Sequence, residues 1–544
     1  MQAGWTTRLG DLLERNAKER PAAEALVTSD GRRLTHAALR EEVRATARAM
    51  LAQGIRRGDF IGLLMGNGVE WVSIFAGAAL IGAITVPVNT RLKGAEIAFT
   101  LQKSQCRALF FTTRFLNIDF AAMLGAEEPA LASGLPGTAL PALRLAVALG
   151  KGAPRAALAW EGFRAQQVSD AALDAAMAEV SAEDRLLVQF TSGTTAHPKG
   201  VLLTHHNMLR NAAAVVERLG IRADDRYLNC RPFFHVAGST LSLLVALTTG
   251  CCLITPPSFE AGLALRLLEE ERCTLTSGND SIFQMMMAHP DFRPERLHLR
   301  GGWAAAGPET MRRIMDVMGA KALGWCYGLS EASPNVVCSD VREPAEIRAS
   351  GRALPHPGLE LRIVDPETGA ILPADARGEI QLRGWSVMQG YVNDPEITAK
   401  TFTADGWLRT GDLGTLDAEG RLGLAGRLKD VIRVGGENVA PAEVEEVLLG
   451  HPAISMAQVV GVPDARLGEV CAAFVQLNPG ATATPESLLA WLKPRIANFR
   501  LPRHLHLVQD FEAIGMTASG KVQKTKLRAH ALTLPPFAEA QGAG

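Results

Sequence analysis

This chain has almost no net charge: 56 Lys and Arg stand against 57 Asp and Glu, a balance of -1 with histidine neutral. It therefore lacks a general field for nucleic acid or an anionic membrane, and any anion site must be local. Its eight cysteines (Cys106, Cys230, Cys251, Cys252, Cys273, Cys326, Cys338 and Cys471) include no Cys-x-x-Cys pair and no Cys/His spacing suited to zinc. They read as buried thiols in a reducing compartment. The N-terminus, MQAGWTTRLGDLLERNAKERP, lacks the apolar core and cleavage site of a signal peptide, so a cytoplasmic protein is expected. Long apolar runs are lacking too, apart from 71–88, WVSIFAGAALIGAITVPV. Its Gly77, Gly82, Pro87 and the β-branched Ile84, Thr85 and Val86 divide that run into a helix, a turn and a buried strand. No transmembrane span is expected.

What is present is an ordinary globular composition, 47% hydrophobic over 544 residues, too long for one core. Up to about residue 120, helical patterns at 9–18 and 39–53 alternate with apolar runs at 60–65 and 108–112, the rhythm of an α/β layered fold. Residues 124–180, rich in alanine, read as variable surface structure. Helical spacing resumes over 204–219. Two strands at 361–364 and 378–383, separated by a turn at 366–369, suggest an antiparallel β subdomain. A helix start at 443–449 and strands at 459–462 and 472–477 suggest a small α+β unit, and 533–544 read as a disordered tail.

The stretch 190–201, FTSGTTAHPKGV, crowds hydroxyls and glycines ahead of a lysine. Gly193 lets backbone approach an anion, Thr191, Ser192, Thr194 and Thr195 offer hydroxyl donors, and Lys199 offers a mobile positive charge. A triphosphate suits such a loop; a Ser/Thr/Gly-rich surface turn is the plainer alternative. It is not a Walker A loop, since Pro198 precedes Lys199 and Gly200 follows it.

This stretch resembles the signature loop of the AMP-forming adenylating enzymes, the superfamily of acyl-CoA synthetases, peptide-synthetase adenylation domains and luciferases. Ala196 replaces the usual third glycine. The resemblance continues in register through RPFFHVAG at 231–238, AAAG at 304–307, YGLSE at 327–331, RTGD at 409–412, GRLKD at 426–430 and TASGK at 517–521. It implies an α/β fold: a large N-terminal domain, 1–428, of layered α/β subdomains plus a β-barrel-like subdomain, and a small mobile α+β C-terminal domain, 429–532. It also implies ATP, Mg²⁺ and coenzyme A as cofactors and a small carboxylic acid as substrate; a homodimer is compatible with it.

Carried over residue by residue, the resemblance makes Glu331 the magnesium carboxylate, a hard oxygen ligand beside ATP phosphates, and Ser330 a phosphate contact. Ala304 and Ala305 would lie against adenine, with Tyr327 and Gly328 alongside; Asp412 would bind the ribose hydroxyls, and Arg427 ribose or phosphate. Lys429 matches the hinge, while Gly435 and Gly436 would line the thiol channel. Lys521 would bridge the carboxylate and the α-phosphate during adenylation. His235, Val236, Trp303, Cys326 and Gly328 fall at acyl-pocket positions, His235 also at the active-site floor. Each has a plainer reading when taken alone: a satisfied buried histidine, a Ser-Glu helix cap, a surface ion pair, a solvated lysine.

Gly328 stands where acetate-specific relatives carry tryptophan, which argues against the smallest acids. Phe233, Phe234, Val236 and the 282–287 run suit a medium-chain or aromatic acid, although methionines at helical spacing are more often core. The expected activity is acid–CoA ligation through an acyl-adenylate. Its rivals are transfer to a carrier protein and, given Ala196 and Gly515 where proline is usual, a non-catalytic nucleotide sensor.

Overall fold

The apolar run 71–88 divides as its glycines and β-branched residues imply. In the computed structural model, which describes residues 7–191, 198–435, 437–464, 466–517 and 521–535, Val69–Leu80 is a helix buried everywhere except at Glu70. Gly82 then turns the chain at φ +70°, and Ile84–Pro87 is a fully buried strand. A helix apolar all round belongs inside a core. Trp71 packs there against Phe75 and Phe233, with ring centroids 5.2 and 5.0 Å apart. No helix among the described residues is long and apolar enough to cross a membrane.

Two eight-stranded sheets carry most of the chain. One runs in the order Gly390–Tyr391, Lys199–Thr204, Arg185–Thr191, Ile84–Pro87, Phe60–Leu64, Ala108–Thr112, Leu145–Leu149, Leu158–Ala159. The other runs Asn335–Cys338, Ala322–Gly328, Gly301–Ala305, Leu275–Asn279, Arg226–Leu228, Cys252–Thr255, Glu24–Thr28, Arg33–Thr35. Its six inner strands are parallel and its two edge strands antiparallel. In open sheets of this kind, ligands gather where the carboxyl ends of parallel strands release their loops.

Helix His205–Leu219 follows the strand pair that brackets residues 192–197. Thr204 caps it, accepting from Asn207 N at 3.0 Å while its own N–H donates to Asn207 Oδ1 at 3.2 Å. The reading of 124–180 as surface structure is corrected at Leu145–Leu149, a strand in the first sheet with Ala146, Val147 and Ala148 buried. Its alternating alanines carry too little apolar contrast to register as a strand.

The β subdomain is an open five-stranded antiparallel sheet, Arg352–Ala353, Leu422–Arg427, Leu408–Leu416, Gly378–Gly384, Leu359–Val364, rather than a closed barrel. From Ile432 onward the chain builds a separate sheet of Glu437–Val439, Ile432–Val434, Gly468–Leu477 and Ile454–Asp464, with His504–Leu507 pairing alongside. It has apolar clusters of its own, around Val459 and Leu488 and around Phe474 and Phe511. Ser192, Gly193, Thr194, Thr195, Gly436 and the tail from 536 lie outside the described residues.

Candidate active site

Four adjacent parallel strands of the second sheet end on one side: Arg226–Leu228, Leu275–Asn279, Gly301–Ala305 and Ala322–Gly328. Ala305 closes the third of these strands, and past their ends lie Arg231 and His235, Asp280, Gly307, and Ser330 and Glu331, so one sheet edge assembles residues of the 231–238, 304–307 and 327–331 motifs. Ala304 is buried in the core while Ala305, next along the strand, is exposed.

The third sheet supplies Asp412, paired in register with Arg427. Tyr327 donates its hydroxyl to Asp412 Oδ2 at 2.7 Å, and Arg427 Nε stands 3.4 Å from Asp412 Oδ1. Burial pushes the Asp412 carboxyl up from the usual range, against the opposing pull of Arg427, the Tyr327 hydroxyl and Lys521. The small C-terminal unit reaches the same place. Met516 and Val522 form an antiparallel bridge, Thr517 and Lys521 bond to each other through N–H···O at 2.8 Å and N–H···Oγ1 at 2.9 Å, and Arg91 Nη1 donates to Met516 O at 3.3 Å.

Lys521 keeps solvent access, yet protein surrounds it closely enough for desolvation to push its ammonium down to about 8. Arg427 adds to the fall, while Asp412 and Asp430 oppose it. Lys429, in the turn Leu428–Asp430, feels the same charges, and desolvation lowers it too.

His235 caps the short helix Val236–Gly238, its Nδ1 accepting from Ala237 N at 3.2 Å, which leaves its proton on Nε2. Burial, then Arg231 and Lys521, push it down to about 4, so it is neutral at pH 7. Val236 is buried beside it. Trp303 is buried, donating Nε1–H to Tyr227 Oη at 2.9 Å. Cys326 lies in the core, its Sγ 3.1 Å from that of Cys338 on the antiparallel neighbour. The run 282–287 belongs to helix Asp280–Ala288, with Ile282, Phe283 and Met286 in the main core.

Glu331 is joined to Lys199 through a residue absent from the expected set. Tyr391 donates its hydroxyl to Glu331 Oε1 at 2.9 Å, and Lys199 Nζ lies 5.2 Å from the Tyr391 ring centre. Tyr391 belongs to VMQGY at 387–391, which reads in sequence as framework; the signal available was that the chain has just three tyrosines. Arg231 is the second omission. Its motif draws attention to His235, yet its guanidinium is the buried charge, with Cζ 4.8 Å from the Trp303 ring centre. Gly435 turns at φ +58° with its N–H on Leu467 O at 2.8 Å.

The chain matches the family of AMP-binding enzymes over residues 13–392 and the AMP-binding enzyme C-terminal domain over residues 443–521. It is 36% identical over 533 residues to the putative acyl-CoA synthetase YngI of Bacillus subtilis (strain 168), covering 96% of each chain. It is 36% identical to the mitochondrial medium-chain acyl-CoA ligase ACSF2 of Danio rerio, over 95% of this chain and 87% of that one. The crystal structure of the anthranilate CoA ligase AuaEII with anthranoyl-AMP superposes with a TM-score of 0.86 at 27% identity, over 98% of both chains. The match over both parts of the chain, with motif residues gathered at one sheet edge, establishes that it belongs to the AMP-binding enzyme family and is an AMP-forming acid–CoA ligase.

Proposed function

We propose that this ligase activates a medium-chain or aromatic carboxylic acid as its adenylate and passes the acyl group to CoA in the same cleft. The observation that carries the adenylation half is the Tyr327–Asp412–Arg427 cluster, close enough to Lys521 for the Asp412 and Arg427 charges to act on its ammonium. In the first half, a carboxylate oxygen attacks the α-phosphorus and the bond to the β-phosphate breaks, so negative charge builds on phosphate oxygens. The Lys521 ammonium stabilises that charge most strongly where water is scarce. Asp412 has a free lone pair on each oxygen for the ribose hydroxyls, and Tyr327 and Arg427 hold it in place. Thr191, Ser192, Gly193, Thr194, Thr195, Lys199 and Ser330 receive the phosphates.

A single carboxylate fits Mg²⁺ here. Tyr391 occupies Glu331 Oε1, which leaves Oε2, and among the described residues no cluster of three His, Cys, Asp or Glu could hold a metal alone. Magnesium prefers this arrangement, with substrate phosphates and waters completing its shell. When bound, it neutralises phosphate charge. Glu331 anchors it, and Tyr391 fixes the orientation of Glu331.

In the second half, the thiol attacks the acyl carbonyl and AMP leaves. We place the domain boundary at 428/429, with rotation about Lys429 withdrawing Lys521 and presenting Gly435 and Gly436 to the thiol channel. The buried apolar side chains of Phe233, Phe234 and Val236 on either side of His235, with Trp303, support a hydrocarbon skeleton as substrate. A Cβ added to Gly328 would stand 2.0 Å from Pro334 O, so this backbone rejects the tryptophan of acetate-specific relatives. The names of ACSF2 and AuaEII, medium-chain and anthranilate ligases, agree with that size. The eight buried free thiols support a cytoplasmic setting.

The test incubates the protein with MgATP, CoA and short, medium, long and aryl acids, following AMP and acyl-CoA by mass spectrometry. Both products are expected with medium or aryl acids. Acyl-AMP without thioester would transfer the assignment to a carrier protein.

A further inference from the structure

Arg231 is 6% exposed. Among the described residues its guanidinium donates no hydrogen bond and faces no carboxylate, and its Nε is buried without an acceptor. The groups whose charge bears on it include Tyr227 and Cys230, and burial pushes both up to about 12, so neither is an anion at pH 7. Burial pushes Arg231 itself down to about 10, which leaves it charged. Among the described residues the close partner of its guanidinium is the Trp303 ring. A cation over an aromatic face is partly compensated, but the ring accepts none of the five N–H bonds in the plane of the guanidinium.

The charge is also held in place. Asn67 Nδ2 and Asn229 Nδ2 donate to Arg231 O at 2.9 and 2.8 Å, Asn229 Oδ1 accepts from Arg231 N at 3.1 Å, and Asn67 Oδ1 accepts from Phe233 N at 2.7 Å. All four side-chain bonds are buried. Arg231 thus sits on a pinned backbone at the carboxyl end of strand Arg226–Leu228, four residues before His235 and against Trp303. A buried cation without a counter-anion is costly, and replacing it with an apolar side chain of similar size is often neutral or stabilising. Its geometry matches an anionic oxygen pair, which a guanidinium binds in bidentate fashion.

We propose that Arg231 sets the acid specificity of this pocket by binding a second carboxylate, at the end of the substrate remote from the reacting carboxyl. The preferred acid is then a dicarboxylic acid with a medium-length or aromatic skeleton. This rests on the acid–CoA ligase reading of the same cleft and narrows its substrate class. Neutral His235 and Tyr227 repel neither carboxylate, while Arg231 disfavours an amino group.

The experiment compares kcat/KM for straight-chain monocarboxylic acids and dicarboxylic acids of equal carbon count, and for benzoic acid and its ring-carboxylated counterparts, in wild type and Arg231→Met. Wild type is expected to favour the dicarboxylic member by about tenfold or more, and Arg231→Met to lower that ratio by on the order of 10². Arg231→Met is also expected to melt no lower than wild type, because it removes an unanswered buried charge. Turnover without preference, or an unchanged ratio in the variant, overturns the proposal while leaving the ligase reading intact. A melting temperature several degrees lower in the variant would make Arg231 a packing partner of Trp303 and overturn it as well. Silence of wild type with every acid would instead overturn the ligase reading, and the inference with it.

Discussion

Lys521 shows how a site can be poised before its substrates arrive. Its ammonium, pushed down to about 8 by desolvation, is charged below that pH and neutral above it. ATP–pyrophosphate exchange measured as kcat/KM is therefore expected to fall as pH rises through about 8, and the fall should vanish in Lys521→Arg, whose charge persists. Lys521→Ala should lose adenylation by on the order of 10² or more and still convert supplied acyl-AMP to thioester; equal loss of both halves would remove Lys521 from its role. Tyr391→Phe deletes the donor to Glu331 Oε1. A hydrogen bond to a charged group is worth about 1.5 kcal/mol or more, so KM for MgATP should rise about tenfold with little change in melting temperature. Motif order singled out Asp412, Arg427 and Lys521 in the sequence, and the fold brings their charges within reach of one another. Tyr391 and Arg231 were not singled out, because their importance lies in what they touch or fail to touch, which one chain read in order does not state.

Among the elements, several strands and helices with strong apolar contrast were legible nearly to the residue, whereas the strand expected at 459–462 runs Ile454–Asp464. The helix expected at 204–219 is His205–Leu219, and the strand expected at 108–112 is Ala108–Thr112. Leu145–Leu149 escaped because alanine reads alike on a surface and in a core. Gly515 illustrates a departure that backbone geometry explains: at φ +144° it occupies a conformation closed to proline. Order in that hairpin comes instead from Gln523 N donating to Gly515 O at 3.0 Å. Gly328 can be tested directly. With Pro334 O 2.0 Å from the position of a new Cβ, Gly328→Ala must displace the backbone at Pro334, just before the neighbouring strand. It should cost about 2 kcal/mol or more, seen as a lower melting temperature and a loss of activity with every acid.

At the scale of the whole molecule, few polar contacts among the described residues hold the C-terminal unit against the rest. One is Arg377 Nη1 to Glu443 Oε1 at 2.7 Å, with both side chains about one-third exposed. Discounted for solvent, such a pair is worth about 1 kcal/mol, enough to tilt an equilibrium between two arrangements about fivefold. Arg377→Glu should slow adenylation by about that factor while leaving thioester formation from acyl-AMP unchanged; slowing of both would place the pair outside the rotation. The cysteines carry a different consequence. All eight are free and buried, and burial pushes Cys230, Cys251, Cys252 and Cys471 up to about 12. A thiol reagent acts on the thiolate, so the native enzyme offers it almost nothing. A colorimetric disulfide reagent added during turnover would therefore register the cofactor's sulfhydryl alone. The folded protein should also form no mixed disulfide with the thiol it handles, and would be spectrally silent until denaturant releases its own eight.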